Sequence, residues 1–402
     1  MRLLLISLLA FAAGLAVWTA RGDDTPAAPR VERPVLTGTS ADIPKLQRAV
    51  RGGGDEYRPT LAAAYLQRVR ETGDPSFYAK ADGVLGTPRT PEALATAGEL
   101  ALARHDFREA LTLGRRAGAL GAPIRVDALV ELGRYDEAAR ELQAMIDRKP
   151  NLAGYARASY LRELRGDLDG AVEAMRLAVG AGGPSAENVA YVSAILGELE
   201  RRRGRERAAR RAFQQALALV PGHPGAEAGL ARLEGGERAI ARLRRLVERL
   251  PLPEYAIALG EAELAAGRDT DALALVTAEQ RLLAEAGVDT DVELAVFEAD
   301  HGDPKRAVAL ARRGWEAAPS TRSADALGWA LTRAGHPRAG YRWARRALRL
   351  GSVDPLWRAR AGLSALAAGH RAEGERHLRV ALRYGLDGWP WQAQRVRRAL
   401  HA

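Results

Sequence analysis

The chain contains no cysteine. That excludes disulfides, thiolate metal sites, cysteine nucleophiles and a lipid anchor on an N-terminal cysteine. Aromatic residues fill only 5% of the 402 positions. Lysine is nearly missing as well: of the 60 basic residues only Lys45, Lys80, Lys149 and Lys305 are lysine, which leaves 56 arginines. Few aromatic and β-branched residues argue against large sheets, and abundant Ala, Leu and Arg favour helix. Composition therefore predicts an all-α chain. An arginine bias of this kind also arises from GC-rich coding, so the net charge of +10 is weak evidence about partners.

The motifs of common catalytic sites are missing too. There is no G-x-S-x-G elbow, no dinucleotide-binding glycine fingerprint and no H-E-x-x-H. The glycine triplet within Arg51–Asp55 lacks the Lys-Ser or Lys-Thr that a phosphate loop needs, so it reads as a flexible break. His105, His301, His336 and His370 fall at or beside turns, and no two histidines show the i, i+4 spacing of a helical metal site. His370 and His377 are seven apart and could share a helix face, a weak pattern for a metal. No carboxylate pair stands out among the acidic residues. The chain reads as non-enzymatic, with no cofactor and no metal.

Length points to a repeat array or several domains, because 402 residues exceed a usual single core. The first 22 residues stand apart. After Met1 and Arg2 an apolar run extends from Leu3 to Trp18, with Thr19 and Ala20 before Arg21. At 1.5 Å per residue this run spans roughly 27 Å, near the lower limit for a membrane helix. An uncleaved membrane anchor is expected, with a cleaved signal peptide as the alternative. A cut after Ala20 would place bulky Trp18 where a small residue is wanted. Either way the rest of the chain is expected outside the cytoplasm, membrane-anchored or, after cleavage, secreted or periplasmic. Residues 23–55 are polar and rich in Pro and Gly, and are expected to form a linker.

From residue 56 to 402 one local grammar recurs, clearest in Leu196–Pro221. A turn residue is followed five positions later by a small residue and preceded seven positions earlier by another. The anchors fall at Gly73, His105, Gly133, Gly166, Gly204, Glu234, Gly267, Gly302, Gly335 and Gly369, spaced 28 to 38 residues apart and mostly near 34. Such a period marks a helix–turn–helix solenoid. The small residues, among them Ala209, Gly197, Gly260, Gly328 and Gly362, belong where two helices cross closely. Pro150, Pro221, Pro251 and Pro319 end second helices.

This pattern resembles the tetratricopeptide repeat (TPR) family over about residues 57–386, best in Gly204–Pro221, Gly133–Pro150 and Ala324–Ala347. Related helical repeats of similar length are the alternative. The resemblance implies about ten degenerate units stacked as a right-handed α-solenoid, each contacting mainly its neighbours. Most units lack the family's Trp and Tyr on the first helix, and two have lost the anchor glycine. The amphipathic segment Trp391–Leu400 would form a solubilising C-terminal cap.

The resemblance further implies that first helices line a concave groove for peptides. Trp329 and Tyr160 stand at such groove sites, and Arg201, Arg202 and Arg333 are further expected groove contacts. The matching positions Gln67, Glu99, Asp127, Glu198, Glu261, Val296 and Leu363 are too varied to suggest one ligand motif. A second feature is charge. From Arg333 to Ala402 there are 15 arginines against Asp354, Glu373, Glu375 and Asp387. Arg338, Arg342, Arg345, Arg346 and Arg349 recur at helical spacing and suggest one basic face. The expected function is a membrane-tethered scaffold binding protein or peptide partners in its groove. The alternative is an envelope-binding module whose arginine face holds an anionic polymer or lipid. Nucleic acid is an unlikely partner for an exported chain.

Overall fold

The computed structural model describes residues 40–402 apart from Pro184. The expected membrane segment and residues 23–39 of the linker lie outside the described residues. Among the described residues no helix is long and apolar enough to cross a membrane.

The remaining stretch of the expected linker is not all loop. Residues Ile43–Arg51 form helix α1, with Pro44 in its first turn. A proline there forfeits only an N–H that no helix start could use, so the proline that argued against a helix opens one. Leu46, fully buried, pins α1 to the core beside Leu61 and Tyr65.

Ten helix pairs follow: α2 (Arg58–Thr72) with α3 (Ser76–Leu85), α4 (Pro91–Ala103) with α5 (Phe107–Arg116), and α6 (Ala122–Glu131) with α7 (Tyr135–Arg148). Next come α8 (Leu152–Leu164) with α9 (Leu168–Ala181), α10 (Ala186–Arg202) with α11 (Glu206–Leu219), and α12 (Pro224–Glu234) with α13 (Gly236–Arg249). The array ends with α14 (Pro253–Ala265) and α15 (Ala272–Glu285), α16 (Asp291–His301) and α17 (Pro304–Ala317), α18 (Thr321–Arg333) and α19 (Pro337–Ala347), and α20 (Pro355–Ala367) and α21 (Arg371–Arg383). A last helix, α22 (Pro390–His401), closes the chain.

The turns within pairs show why the anchors recur. Gly73, Gly133, Gly166, Gly204, Gly267, Gly335 and Gly369 all have φ between 71° and 88°, the left-handed region that side chains disfavour. Where the anchor is not glycine the conformation persists or shifts. His105 itself adopts φ 62°, and the unit anchored at Glu234 turns at Gly235 and Gly236 instead.

Close helix crossings account for the other small residues. A Cβ on Gly197 or Gly229 would come within 2.5 Å and 2.3 Å of the Phe213 ring, so this ring fits only between two glycines. Gly340 meets Gly328 backbone to backbone, and Gly374 meets Gly362 in the same way. The first helices of successive pairs contact one another at most steps of the array, and the second helices make no comparable contact. First helices therefore form the inner wall and second helices the outer one. The molecule is an all-α solenoid of tetratricopeptide-like pairs.

Repeats do not contact only their neighbours, however. The His105 ring hydrogen-bonds the Asp289 carbonyl, 184 residues on. The Tyr135 hydroxyl accepts from the Thr321 N–H at 2.8 Å across 186 residues, and Arg201 donates to the Gly385 carbonyl at 2.8 Å across 184. A Cβ on Gly133 would lie 2.3 Å from the Pro319 carbonyl oxygen, and one on Gly166 2.4 Å from that of Gly351. Each of the first five hairpin turns thus sits against the connection that follows the pair five places on. One superhelical turn takes between five and six pairs, and the second turn stacks directly on the first.

Candidate functional site

The inner helices carry buried acids, and four of these acids meet an arginine from the next inner helix. Arg157 on α8 forks onto Asp127 of α6 with bonds of 2.8 and 2.6 Å. Arg202 on α10 reaches Glu163 of α8 at 2.8 Å, and Arg360 on α20 binds Asp325 of α18 at 2.9 and 2.5 Å. Arg322 on α18 pairs with Glu293 of α16. These partners are 29 to 39 residues apart, one repeat in each case. Burial pushes the Asp127 carboxyl up to about 6 against the pull of Arg157. Two-pronged guanidinium–carboxylate bonding of this kind fixes register as well as proximity.

The groove residues singled out from the sequence are drawn into this internal bonding. Arg202 is 1% exposed and belongs to the ladder. Arg201 binds Glu198 through two nitrogens, at 3.0 and 2.7 Å, and its guanidinium lies 4.8 Å from the Trp389 ring. Tyr160 is half-buried and packs against two core clusters. Trp329 is 2% exposed, and its indole N–H donates to Asp300 at 3.1 Å. Arg333, exposed at its tip, donates to the Ala299 carbonyl at 2.9 Å, 5.7 Å from the Trp329 ring. The structure brings Trp329 and Arg333 together and ties Arg201 to Glu198 and Gly385 and Arg202 to Glu163.

What lies over Trp329 is the chain's own C-terminal helix. Instead of only capping the last pair, α22 contacts α14 as well as α20 and α21. Gln392 donates to Glu261 at 2.9 Å and to Asp300 at 3.2 Å, Arg395 to Asp300 at 2.6 Å, and Gln394 to the Ala265 carbonyl at 2.8 Å. The Trp391 ring rests 4.7 Å from the His301 ring, and the Arg395 guanidinium is 5.1 Å from the Trp329 ring. Burial opposes the Asp300 carboxylate, yet Arg395 overcomes it and holds its pKa below the usual carboxylate range. The site is therefore an acidic, aromatic cradle on α14, α16 and α18 that grips an Arg/Gln/Trp-bearing helix. Trp329 and Glu261 stood at groove positions in the sequence. Asp300 and His301, one residue apart at the end of α16, carried no signal that separated them from other turn residues.

The arginines of α19 face outward. Arg338, Arg342, Arg345, Arg346 and the following Arg349 are all exposed. Arg346 stacks 4.5 Å from the Trp315 ring, and Arg349 lies 5.2 Å from the Tyr135 ring of the first superhelical turn. Arg338 and Arg342 pair with no carboxylate among the described residues. Among the described residues the buried side chains include twelve carboxylates but only four arginines, so their net positive charge is concentrated on the surface. His370 stacks on Tyr341 at 4.3 Å, whereas His377 is flanked by Arg358 and Glu373, so these two histidines have separate surroundings. Among the described residues no group of three or more His, Asp or Glu is placed to hold a metal.

Fold and site together define a tetratricopeptide-like α-solenoid whose inner groove holds its own C-terminal helix. No protein-family model matches the sequence, and no curated protein matches it. Among solved structures, the chain is similar to the APC/C hetero-tetramer Cut9–Hcn1, with 15% identity over 91% of this chain and 96% of that one and a TM-score of 0.32. It is similar to yeast Tom70, with 11% identity over 90% and 95% and a TM-score of 0.35. It is also similar to the human IFIT1 dimer with PPP-AAAA, with 14% identity over 84% and 88% and a TM-score of 0.43.

Proposed function

We propose that the protein is a non-enzymatic interaction scaffold that binds helical protein segments in its inner groove, tethered to the membrane by Leu3–Trp18 with the repeats outside the cytoplasm. The observation that carries this reading is the docking of α22. A helix presenting Trp391, Gln392 and Arg395 fits the cradle of Glu261, Asp300, His301 and Trp329, so the groove has helix-binding chemistry built in. A partner segment of similar Arg/Gln/aromatic character would compete with α22 for that cradle.

The test removes residues 386–402 and supplies the same residues as a labelled peptide. Binding by the truncated, folded chain, weakened at least tenfold by Trp329→Ala or Asp300→Asn, supports the groove. A folded truncated chain that ignores the peptide reduces α22 to ordinary packing. Topology is tested separately by an alkaline phosphatase fusion after Ala402, expected to be active, since that enzyme works only outside the cytoplasm.

One observation favours a second reading. The α19 arginines are exposed and largely free of carboxylate partners, which suits an acidic partner surface or an anionic envelope polymer or lipid. Binding through this face would collapse with modest added salt and with Arg342→Glu combined with Arg345→Glu, leaving peptide binding in the groove unchanged.

A further inference from the structure

A half-open cavity of about 240 Å³ lies away from the α22 cradle. Its walls come from five separated parts of the chain: the end of α2, helix α10, the α11–α12 connection with α12 as far as Arg232, residues Arg249 and Tyr255 of α13 and α14, and Trp389 just before α22. Only the stacking of the second superhelical turn on the first brings Trp389 to the others.

The cavity is rich in hydrogen-bond donors that the fold leaves unused. Tyr255 is 2% exposed, and its hydroxyl bonds to no described residue. Arg232 makes no hydrogen bond within the described residues. Its nearest carboxylate, Glu198, is 3.8 Å away and already engaged by Arg201, and its guanidinium instead lies 5.1 Å from the Trp389 ring. Burial lowers the Arg232 pKa, the mark of a cation short of compensation. His223 caps α12 by accepting the Ala226 N–H at Nδ1, which leaves a neutral ring with its proton on Nε2. The same residue sits where the α12 N-terminus adds its positive end.

The acids in the lining do not cancel this. Glu198 is held by Arg201, and Glu71 pairs with Arg68 at 3.4 Å. Only Glu187 remains, which disfavours a doubly charged ligand more than a singly charged one. Tyr191, Ile195, Val220 and Trp389 supply an apolar and aromatic side. A cavity of about 150 Å³ holds benzene, so this one has room for a ring and one acidic group.

We propose that this cavity binds a small aromatic monocarboxylate, its carboxylate taken by Arg232 and the Tyr255 hydroxyl and its ring by the Tyr191–Trp389 side. A planar carboxylate matches the guanidinium fork, and a neutral ligand would leave the half-buried Arg232 without a hydrogen-bonded counter-charge.

Calorimetric titration of the full chain with benzoate, phenylacetate, benzamide and phenyl phosphate tests the proposal. The carboxylates should bind at least tenfold more tightly than benzamide and more tightly than phenyl phosphate at a pH where that ligand is dianionic. Tyr255→Phe, which keeps the ring in place, should weaken carboxylate binding severalfold, and Arg232→Met more than tenfold. Failure of both carboxylates to bind the folded protein overturns the proposal. So does equal binding of benzamide, tighter binding of phenyl phosphate, or an unchanged affinity in a folded Tyr255→Phe variant.

Discussion

A turn glycine in this chain meets two separate demands, and they can be told apart. Gly133 and Gly369 both turn at positive φ, 72° and 88°. Gly369, in the second superhelical turn, has open space around its missing Cβ, whereas Gly133 is pinched against Pro319. Alanine at Gly369 should cost only the left-handed conformation, about 1 kcal/mol. Alanine at Gly133 should add a backbone displacement of about 1–3 kcal/mol more. Thermal melting of the two variants checks this, and equal losses would contradict the stacking of turns. His105 adds a pH dependence at the same scale. Burial, and then Arg322, lower its pKa from 6.5 to about 4. The unfolded chain therefore takes up this proton first, so the stability contributed is fully present above pH 6.5 and is lost as pH falls through about 4. The whole effect is up to about 3 kcal/mol. Glu131, pushed up to about 7 by burial, titrates in the opposite sense. The informative measurement is thus a difference: the melting-temperature gap between wild type and His105→Asn should shrink from pH 7.5 to pH 4.5.

At the scale of one helix pair, the register read from small residues is the register of the packing. Ala209 is fully buried at the crossing of α10 and α11, and Gln214 is exposed on the same helix. Ala209→Arg should overpack that crossing and cost several times more than Gln214→Arg, a comparison made by chemical denaturation. Equal midpoints would break the register. The seven arginines of Arg201–Arg211 show how far the sequence could be read. Arg201 and Arg202 are bound to carboxylates inside the solenoid, while Arg205, Arg207, Arg210 and Arg211 are exposed. Helical periodicity separated the buried Ala209 and Phe213 from the rest. It could not assign the carboxylate partner of Arg202, because Glu163 comes from the preceding pair.

Across the whole molecule, contacts about 185 residues apart join the two superhelical turns. An array held together only by neighbours unfolds piecemeal, but here the first turn and the second should open together. Tyr135→Phe tests this without disturbing either hairpin. It deprives the buried Thr321 N–H of its acceptor, at a cost of about 1–3 kcal/mol. Faster hydrogen exchange is expected both around Tyr135 and at the start of α18. A change confined to the α6–α7 pair would show the turns to be independent.

The sequence by itself determined the helix pairs, their period, their turns and the small residues at their crossings. Each of these depends on residues within about one repeat of each other, where φ preference, periodic burial and proline leave direct marks in the residue order. It also pointed to Trp329 and to the outward α19 arginines. Tertiary structure alone decided that the solenoid closes on itself, that α22 lies in the groove over Trp329, and that Arg232, Tyr255 and Trp389 share a cavity. These outcomes follow from the small rotation between successive pairs, summed over five to six of them. No single repeat encodes that sum in a pattern that can be read locally.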